Sequence, residues 1–250
     1  MKLHIFNPEH DIALAANQEC FTAPHAGRRL RTDLGFIPAF WASEGDMVLV
    51  DDVEAAIEAR RHLRKFGNDV VFVTAADLKD FTLDDVKSFQ VEPWGWDRTI
   101  KEQLLRANKG LEPFMPSDDA LATIREMSNR RFAAEHLLPV LREIAESQTV
   151  GESHYCTTME EVLQVLKRNG RSVLKSPWSS SGRGVRYVET TVLDAHLEGW
   201  AANVVKRQGG IMVEPLYNKV YDFGLEFVSN SDGSIDFKGL SLFATRGGAY

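Results

Sequence analysis

A chain of 250 residues is long enough for one large or two ordinary domains, each with its own core. Apolar residues make up 44% of it and charged residues 26%, the balance of a soluble globular protein, and no apolar run approaches a membrane span. The net charge of −7, with no basic run to offset it, argues against nucleic acid as a partner.

The first residues, MKLHIFNPEHD, turn polar too early for a secretory signal, so the expected compartment is the cytoplasm. Leu3 to Phe6 reads as a short strand that runs into the polar loop Asn7–Asp11. Such a loop after a strand is a common ligand-bearing arrangement in α/β folds. Asn7, His10 and Asp11 are therefore either substrate contacts or a turn and helix cap for Ile12–Ala16. His25, Arg28 and Arg29 would suit a carboxylate or phosphate, but a plain solvated surface is the favoured explanation for them. Cys20 and Cys156 are far apart, with no CxxC pair or histidine spacing, and read as free thiols rather than a zinc site.

Phe36–Trp41 is apolar but broken by Pro38, which suggests a loop or edge piece. Met47–Val50 predicts a strand. Val53, Ala56, Ile57, Leu63 and Phe66 then mark a helix stopped by Gly67, with Arg60, Arg61, Arg64 and Lys65 on a solvated face. Asp69–Val73 predicts the next strand, and strand–helix–strand at this length favours a parallel sheet. Phe81–Val91 is a weak helix candidate, and Pro93–Asp97 a turn whose tryptophans would fill the core. Asp97–Asn108 returns to helix.

Pro113, Pro116 and Ser117-Asp118-Asp119 mark a composition break and the first expected boundary. Helices follow over 118–127 and 129–146, the second kinked at Pro139. Thr149–Cys156 predicts a strand. Thr158 and Glu161 form a capping box for a helix that ends at Asn169-Gly170.

The next stretch, SVLKSPWSSSGRGVRYV from Ser172 to Val188, carries the chemistry. Val173-Leu174 and Val185–Val188 read as the two strands of a hairpin with a small polar tip. Gly182 and Gly184 let a ligand approach the main chain. Ser179, Ser180 and Ser181 add hydroxyl donors, and successive N–H groups in such a loop form an anion-binding concavity. Lys175 enters the loop with an ammonium for the same anion. The combination describes a phosphate clamp. Other nucleotide motifs do not fit: there is no Gly-Lys pair for a Walker A loop, and no third glycine with a following helix for a dinucleotide fingerprint. Asp222-Phe223-Gly224 spells the kinase tripeptide, but in the wrong order relative to the glycine-rich loop and without an HRD segment. Leu193–Arg207 then reads as an amphipathic helix, and Gly224–Ser229 with Ile235–Phe243 as a second hairpin.

A strand lysine, a proline two residues on, and a Ser/Gly loop closing into a second strand resemble the nucleotide-binding hairpin of the ATP-grasp superfamily. IMVEPLYNKVYDFGLEF, from Ile211 to Phe227, is similar to that superfamily's hinge. The resemblance implies that Lys175 and the loop Ser179–Gly184 hold the nucleotide phosphates. Glu214, Pro215 and Leu216 would meet the adenine and Asp222 the ribose. Arg130 would stand where the superfamily carries its first phosphate lysine, with changed geometry. Arg183, at the loop tip, would touch a phosphate or the substrate as a catalytic residue.

The implied fold class is α/β: an N-terminal parallel α/β domain over 1–115, a central ATP-grasp subdomain over 116–210, and the start of a C-terminal subdomain over 211–250. The implied activity is that of an ATP-dependent ligase, which activates a small carboxylate as an acyl phosphate. A nucleotide-binding module without chemistry and a phosphotransferase on the same scaffold are the alternatives. ATP and Mg²⁺ are the implied cofactors. The metal ligands are expected beyond residue 250, so the chain reads as the first part of a longer protein.

Overall fold

The computed structural model describes residues 1–61, 66–82, 88–145, 149–179, 182–230 and 232–244. Leu63, Arg64 and Lys65 of the helix expected after Val53, and Ser180 and Ser181 of the clamp, lie outside these residues. The chain divides into two compact units, Met1–Asn129 and Arg130–Tyr250, with the division C-terminal to the break expected at 115.

The first unit is built on four strands, β1 (Lys2–Ile5), β2 (Met47–Leu49), β3 (Val71–Val73) and β4 (Gln90–Pro93), in the order β3-β2-β1-β4. All three pairings are parallel, as the alternation of strands and helices implies. From β1 the chain builds outward through β2 and β3 on one side, then returns to lay β4 on the other. Short helices α1 (His10–Ala16), α2 (His25–Leu34) and α3 (Val53–Arg61) lie between the strands, and α4 (Arg98–Ala107) and α5 (Asp118–Met127) follow β4. One face of the sheet packs Leu3, Ile5, Met47 and Val91 against Ile100, Leu104 and Leu111; the other packs Val48 and Val50 on Phe36 and Ala56. Burial of such aliphatic side chains stabilises by roughly 1.5–3 kcal/mol each.

Several local expectations change. Phe36–Trp41 contains a 3-10 turn, Ile37–Phe40, because Pro38 is tolerated at a helix start where its missing N–H costs nothing. The described end of the weak helix candidate, Gln90-Val91, is strand. Trp94 does not fill the core. It is 60% exposed and leans on Phe6 and on the half-exposed Trp41.

The second unit opens on one continuous run of helix: α6 (Arg130–Phe132), a π-helical segment Ala133–Leu137, and α7 (Leu138–Ala145). The irregularity sits where the Pro139 ring would collide with the carbonyl four residues back, and a widened turn relieves the clash. β5 (His154–Cys156), β6 (Ser172–Lys175), β7 (Val185–Val188) and β8 (Ile211–Pro215) form an antiparallel sheet in the order β5-β8-β6-β7. Helices α8 (Met159–Asn169) and α9 (Ala195–Gln208) cover one face, with Val162, Leu166, Ala201 and Val204 on Leu174, Val188, Ile211 and Val213. The capping box of Thr158 and Glu161 starts α8, and the Asp194 carboxylate accepts the Leu197 N–H to start α9. β9 (Asp222–Ser229) and β10 (Ile235–Phe243) make a separate antiparallel ribbon, with a bulge between Phe237 and Gly239. Among the described residues no helix is long and apolar enough to cross a membrane.

Candidate nucleotide site

Strand periodicity places the site. Leu174, Ile211 and Val213 point to the helix-covered face, so Lys175, Met212 and Glu214 project from the opposite one. In the ladder Lys175 pairs with Met212 and Val173 with Glu214, which makes Lys175 and Glu214 diagonal neighbours on that open face. They form an ion pair between Nζ and Oε2, each side chain about a quarter exposed (29% and 23%). The Ser153 hydroxyl donates to the other Glu214 oxygen at 3.1 Å.

Beside this pair opens an apolar cavity of about 400 Å³. One wall is Ala133, Leu137 and Leu141 of the opening helix. The other is Glu214, Pro215 and Tyr217, and Gly151–Ser153 and Arg130 close the ends. Leu137 and Leu141 are half-exposed apolar side chains one helical turn apart, with the cavity between them and the strand. A slot of this size and character accepts a flat ring against its apolar wall. Leu216 continues past the strand with its N–H on the Arg171 carbonyl at 2.9 Å.

The loop that closes the hairpin is held from within. The Ser176 N–H donates to the Gly184 carbonyl at 2.8 Å, and the Val185 N–H to Gly182 at 3.1 Å, with Gly182 at φ 70°. That angle disfavours a side chain. Gly184 is required for another reason: a Cβ there would overlap Ser179 Oγ. Arg130 reaches across the loop, Nη1 to the Ser176 carbonyl at 2.6 Å and to Ser179 Oγ at 2.9 Å, and Nη2 to the Ser179 carbonyl at 2.8 Å. It lines the cavity and braces the loop at once. Arg183 is exposed at the loop tip, and its carbonyl accepts from Arg186 Nη1 at 3.1 Å. The Arg186 guanidinium lies over the Trp200 ring at 4.8 Å. Asp222 starts the ribbon, its carboxylate gripped by Lys219 at 2.7 and 2.9 Å.

Of the expected site residues, Arg130, Glu214 and Pro215 line the cavity; Lys175 joins them through its ion pair with Glu214, and Ser179 through its bonds to Arg130, while Arg183 and Asp222 have no such link to the cavity among the described contacts. The far wall was missed from the sequence. Its signal was an excess of apolar residues on the opening helix, where Leu137, Leu138, Val140, Leu141 and Ile144 exceed what one buried stripe uses. For Mg²⁺ the donor set does not fit: among the described residues no group of three or more His, Cys, Asp or Glu is placed to hold a metal ion.

In the first unit, Asn7 is buried and bridges to Gly95, with Nδ2 donating to its carbonyl at 2.8 Å and Oδ1 accepting its N–H at 3.2 Å. His10 Nδ1 meets Asp97 Oδ2 at 3.1 Å, and Asp97 Oδ1 accepts the Ile100 N–H at 2.9 Å to cap α4. Arg29 pairs with Asp33, His25 begins α2, and Arg28 faces a cavity.

No family model and no curated protein matches the sequence. Solved structures do. N5-carboxyaminoimidazole synthetase from Staphylococcus aureus, complexed with ADP, aligns over 99% of this chain and 56% of its own, at 12% identity and a TM-score of 0.50. N5-carboxyaminoimidazole ribonucleotide synthetase from Thermus thermophilus aligns over 100% and 56%, at 16% and 0.48. D-alanyl-alanine synthetase A from Vibrio cholerae aligns over 82% and 69%, at 11% and 0.44. The chain spans a little over half the length of the first two. At 12% identity the likeness to the first is one of fold. The chain's mixed α/β architecture, a parallel sheet followed by antiparallel sheets, is the fold of that synthetase over the aligned residues.

Proposed function

We propose that the second unit binds ATP and that the protein is an ATP-dependent ligase. The observation that carries this reading is the apolar slot lined by Glu214, the ion-pair partner of Lys175, and by Arg130, which braces the Ser/Gly loop. The adenine lies between Leu137, Leu141 and the Glu214-Pro215 segment. The phosphates run toward Lys175, whose ammonium leaves Glu214 for them, and toward the loop N–H groups that Arg130 keeps in place. Asp222, freed from Lys219, takes the ribose hydroxyls, and Arg183 closes on the terminal phosphate as the loop folds over.

In such a site catalysis is positioning plus charge neutralisation. A carboxylate oxygen of a small acid attacks the γ-phosphorus, the bond to the β–γ bridging oxygen breaks, and ADP leaves. An amine nitrogen then attacks the acyl carbon, the bond to the phosphate oxygen breaks, inorganic phosphate departs and the amine loses its proton to solvent. Lys175 and the loop donors stabilise the charge shifted onto the phosphate oxygens. The test is trapping: ATP, a set of small carboxylic acids and hydroxylamine should yield a hydroxamate with matching ADP. ADP without hydroxamate for any acid would remove the acyl phosphate from the scheme.

A further inference from the structure

Where the Ser/Gly loop leaves β6, the peptide between Pro177 and Trp178 is held at both of its polar ends. Its carbonyl accepts the Arg130 N–H of α6 at 3.1 Å. In a trans peptide the N–H points away from the carbonyl, and here the Trp178 N–H donates to the side-chain Oε1 of Gln208 at 3.0 Å. The plane cannot rotate without losing one bond or the other. Trp178 is itself buried, at 5% exposure, so an N–H left without an acceptor there would be costly.

Gln208 is placed by its own surroundings. It is the last residue of α9, whose Ala201 and Val204 are buried against the sheet, and Gly209 stops the helix at φ 81° with its N–H on the Val205 carbonyl at 2.9 Å. A Cβ on Gly210 would overlap the Tyr155 ring, so the turn lies directly on that ring. The Arg131 guanidinium stands over the same ring, 5.4 Å from its centroid. Neighbouring arginines of α6 therefore bear on the loop by two routes, Arg130 directly and Arg131 through Tyr155 and the turn that presents Gln208. The turn runs on into β8, the strand that carries Glu214. Gln208 thus ties the loop to the strand whose glutamate pairs with Lys175.

On the nucleotide reading of the second unit, we propose that Gln208 is a positioning residue for the phosphates. By fixing the Pro177–Trp178 peptide it sets the direction in which Ser179, the next residue, meets the nucleotide. The Ser179 hydroxyl accepts from Arg130 Nη1 and keeps its own proton to donate to a phosphate oxygen. A donor aimed before the ligand arrives costs no ordering on binding.

Titration calorimetry with ATP and ADP, and with adenosine in competition with ATP, tests this on the 250-residue chain and on two variants. Gln208→Met keeps the length of the side chain and loses the acceptor; Gln208→Glu keeps the acceptor. Gln208→Met should weaken ATP and ADP roughly tenfold and leave adenosine unchanged, because the apolar slot is not touched. Hydrogen exchange at the Trp178 N–H should quicken in Gln208→Met and return to the unaltered rate in Gln208→Glu, a rescue that packing alone would not give. Unaltered ATP affinity in Gln208→Met, equal weakening of ATP and adenosine, or exchange that glutamate does not rescue would overturn the proposal and leave the nucleotide reading in place. No saturable ATP binding by the unaltered chain would overturn both.

Discussion

Arg130 and Ser179 are joined twice, Nη1 to the serine hydroxyl at 2.9 Å and Nη2 to its carbonyl at 2.8 Å. The planar fork of a guanidinium makes this possible; an ammonium at the same place could satisfy one of the two. The arginine that stands where the superfamily resemblance implies lysine therefore braces the loop. Arg130→Lys keeps the charge and loses the brace. Hydrogen exchange over residues 176–184 should quicken, and ATP affinity should fall by about 1.5 kcal/mol, roughly tenfold. Unchanged exchange in that segment would show that the loop does not rely on the fork.

Gly184 offers a steric test of the same loop. Its missing side chain is what lets Ser179 Oγ pack against the hairpin. Gly184→Ala must displace Ser179 and with it the two bonds from Arg130, at a cost of about 1–3 kcal/mol in the stability of the second unit. Thermal unfolding reads the loss, and the double substitution Gly184→Ala with Ser179→Gly should recover most of it.

The first unit carries a pH-dependent element. Asp46 is buried beside His4, with Oδ2 3.1 Å from His4 Nε2, and it also accepts the N–H groups of Lys2 at 2.8 Å and Ser43 at 3.0 Å. Burial acts to raise its pKa, but the hydrogen bonds from His4, Lys2 and Ser43 outweigh it and hold the carboxyl below the ordinary aspartate value. A depressed folded value means the unfolded chain binds the proton more readily. The contribution is complete above the ordinary aspartate range and is lost as pH falls through the lower folded value. Melting temperature should drop on acidification below about pH 4, and Asp46→Asn should flatten that slope while lowering stability at neutral pH. An identical slope in the variant would assign the acid sensitivity elsewhere.

The two cysteines should differ sharply in reactivity. Cys156 is buried in the second-unit core, and burial, with the Glu161 carboxylate adding to it, pushes its thiol up to about 11. Cys20 is exposed. Since the thiolate is the reactive form, a thiol reagent near pH 8 should titrate one group in the native chain and two after denaturation. Two fast equivalents in the native chain would mean that the core around Cys156 opens.

How much of this was legible depended on whether a feature is local. The hairpin at Lys175 is local: β-branched flanks, a Ser/Gly tip and the lysine lie within one short stretch, and periodicity alone fixes which residues share a face. The capping box at Thr158 and the opening helix of the second unit are likewise written in adjacent residues. Ser153 and Glu214 are not. They meet because β5 pairs with β8, two strands separated in the chain by the whole hairpin and α9, and nothing local specifies that pairing. The exposure of Trp94 was hidden for a similar reason: whether a turn tryptophan faces the core is decided by the elements packed around it, here Phe6 and Trp41.

The pairing of Lys175 with Glu214 is the center of the account, and titration calorimetry with ATP tests it most directly. The unaltered chain should bind ATP saturably, and Lys175→Ala should lose about 1.5–3 kcal/mol, roughly tenfold to a hundredfold, through the missing charge-assisted contact. Adding Glu214→Gln to Lys175→Ala controls for a stranded carboxylate and should not restore the affinity. ATP bound equally well by the unaltered chain and by Lys175→Ala, or not bound by the unaltered chain at all, would contradict the account.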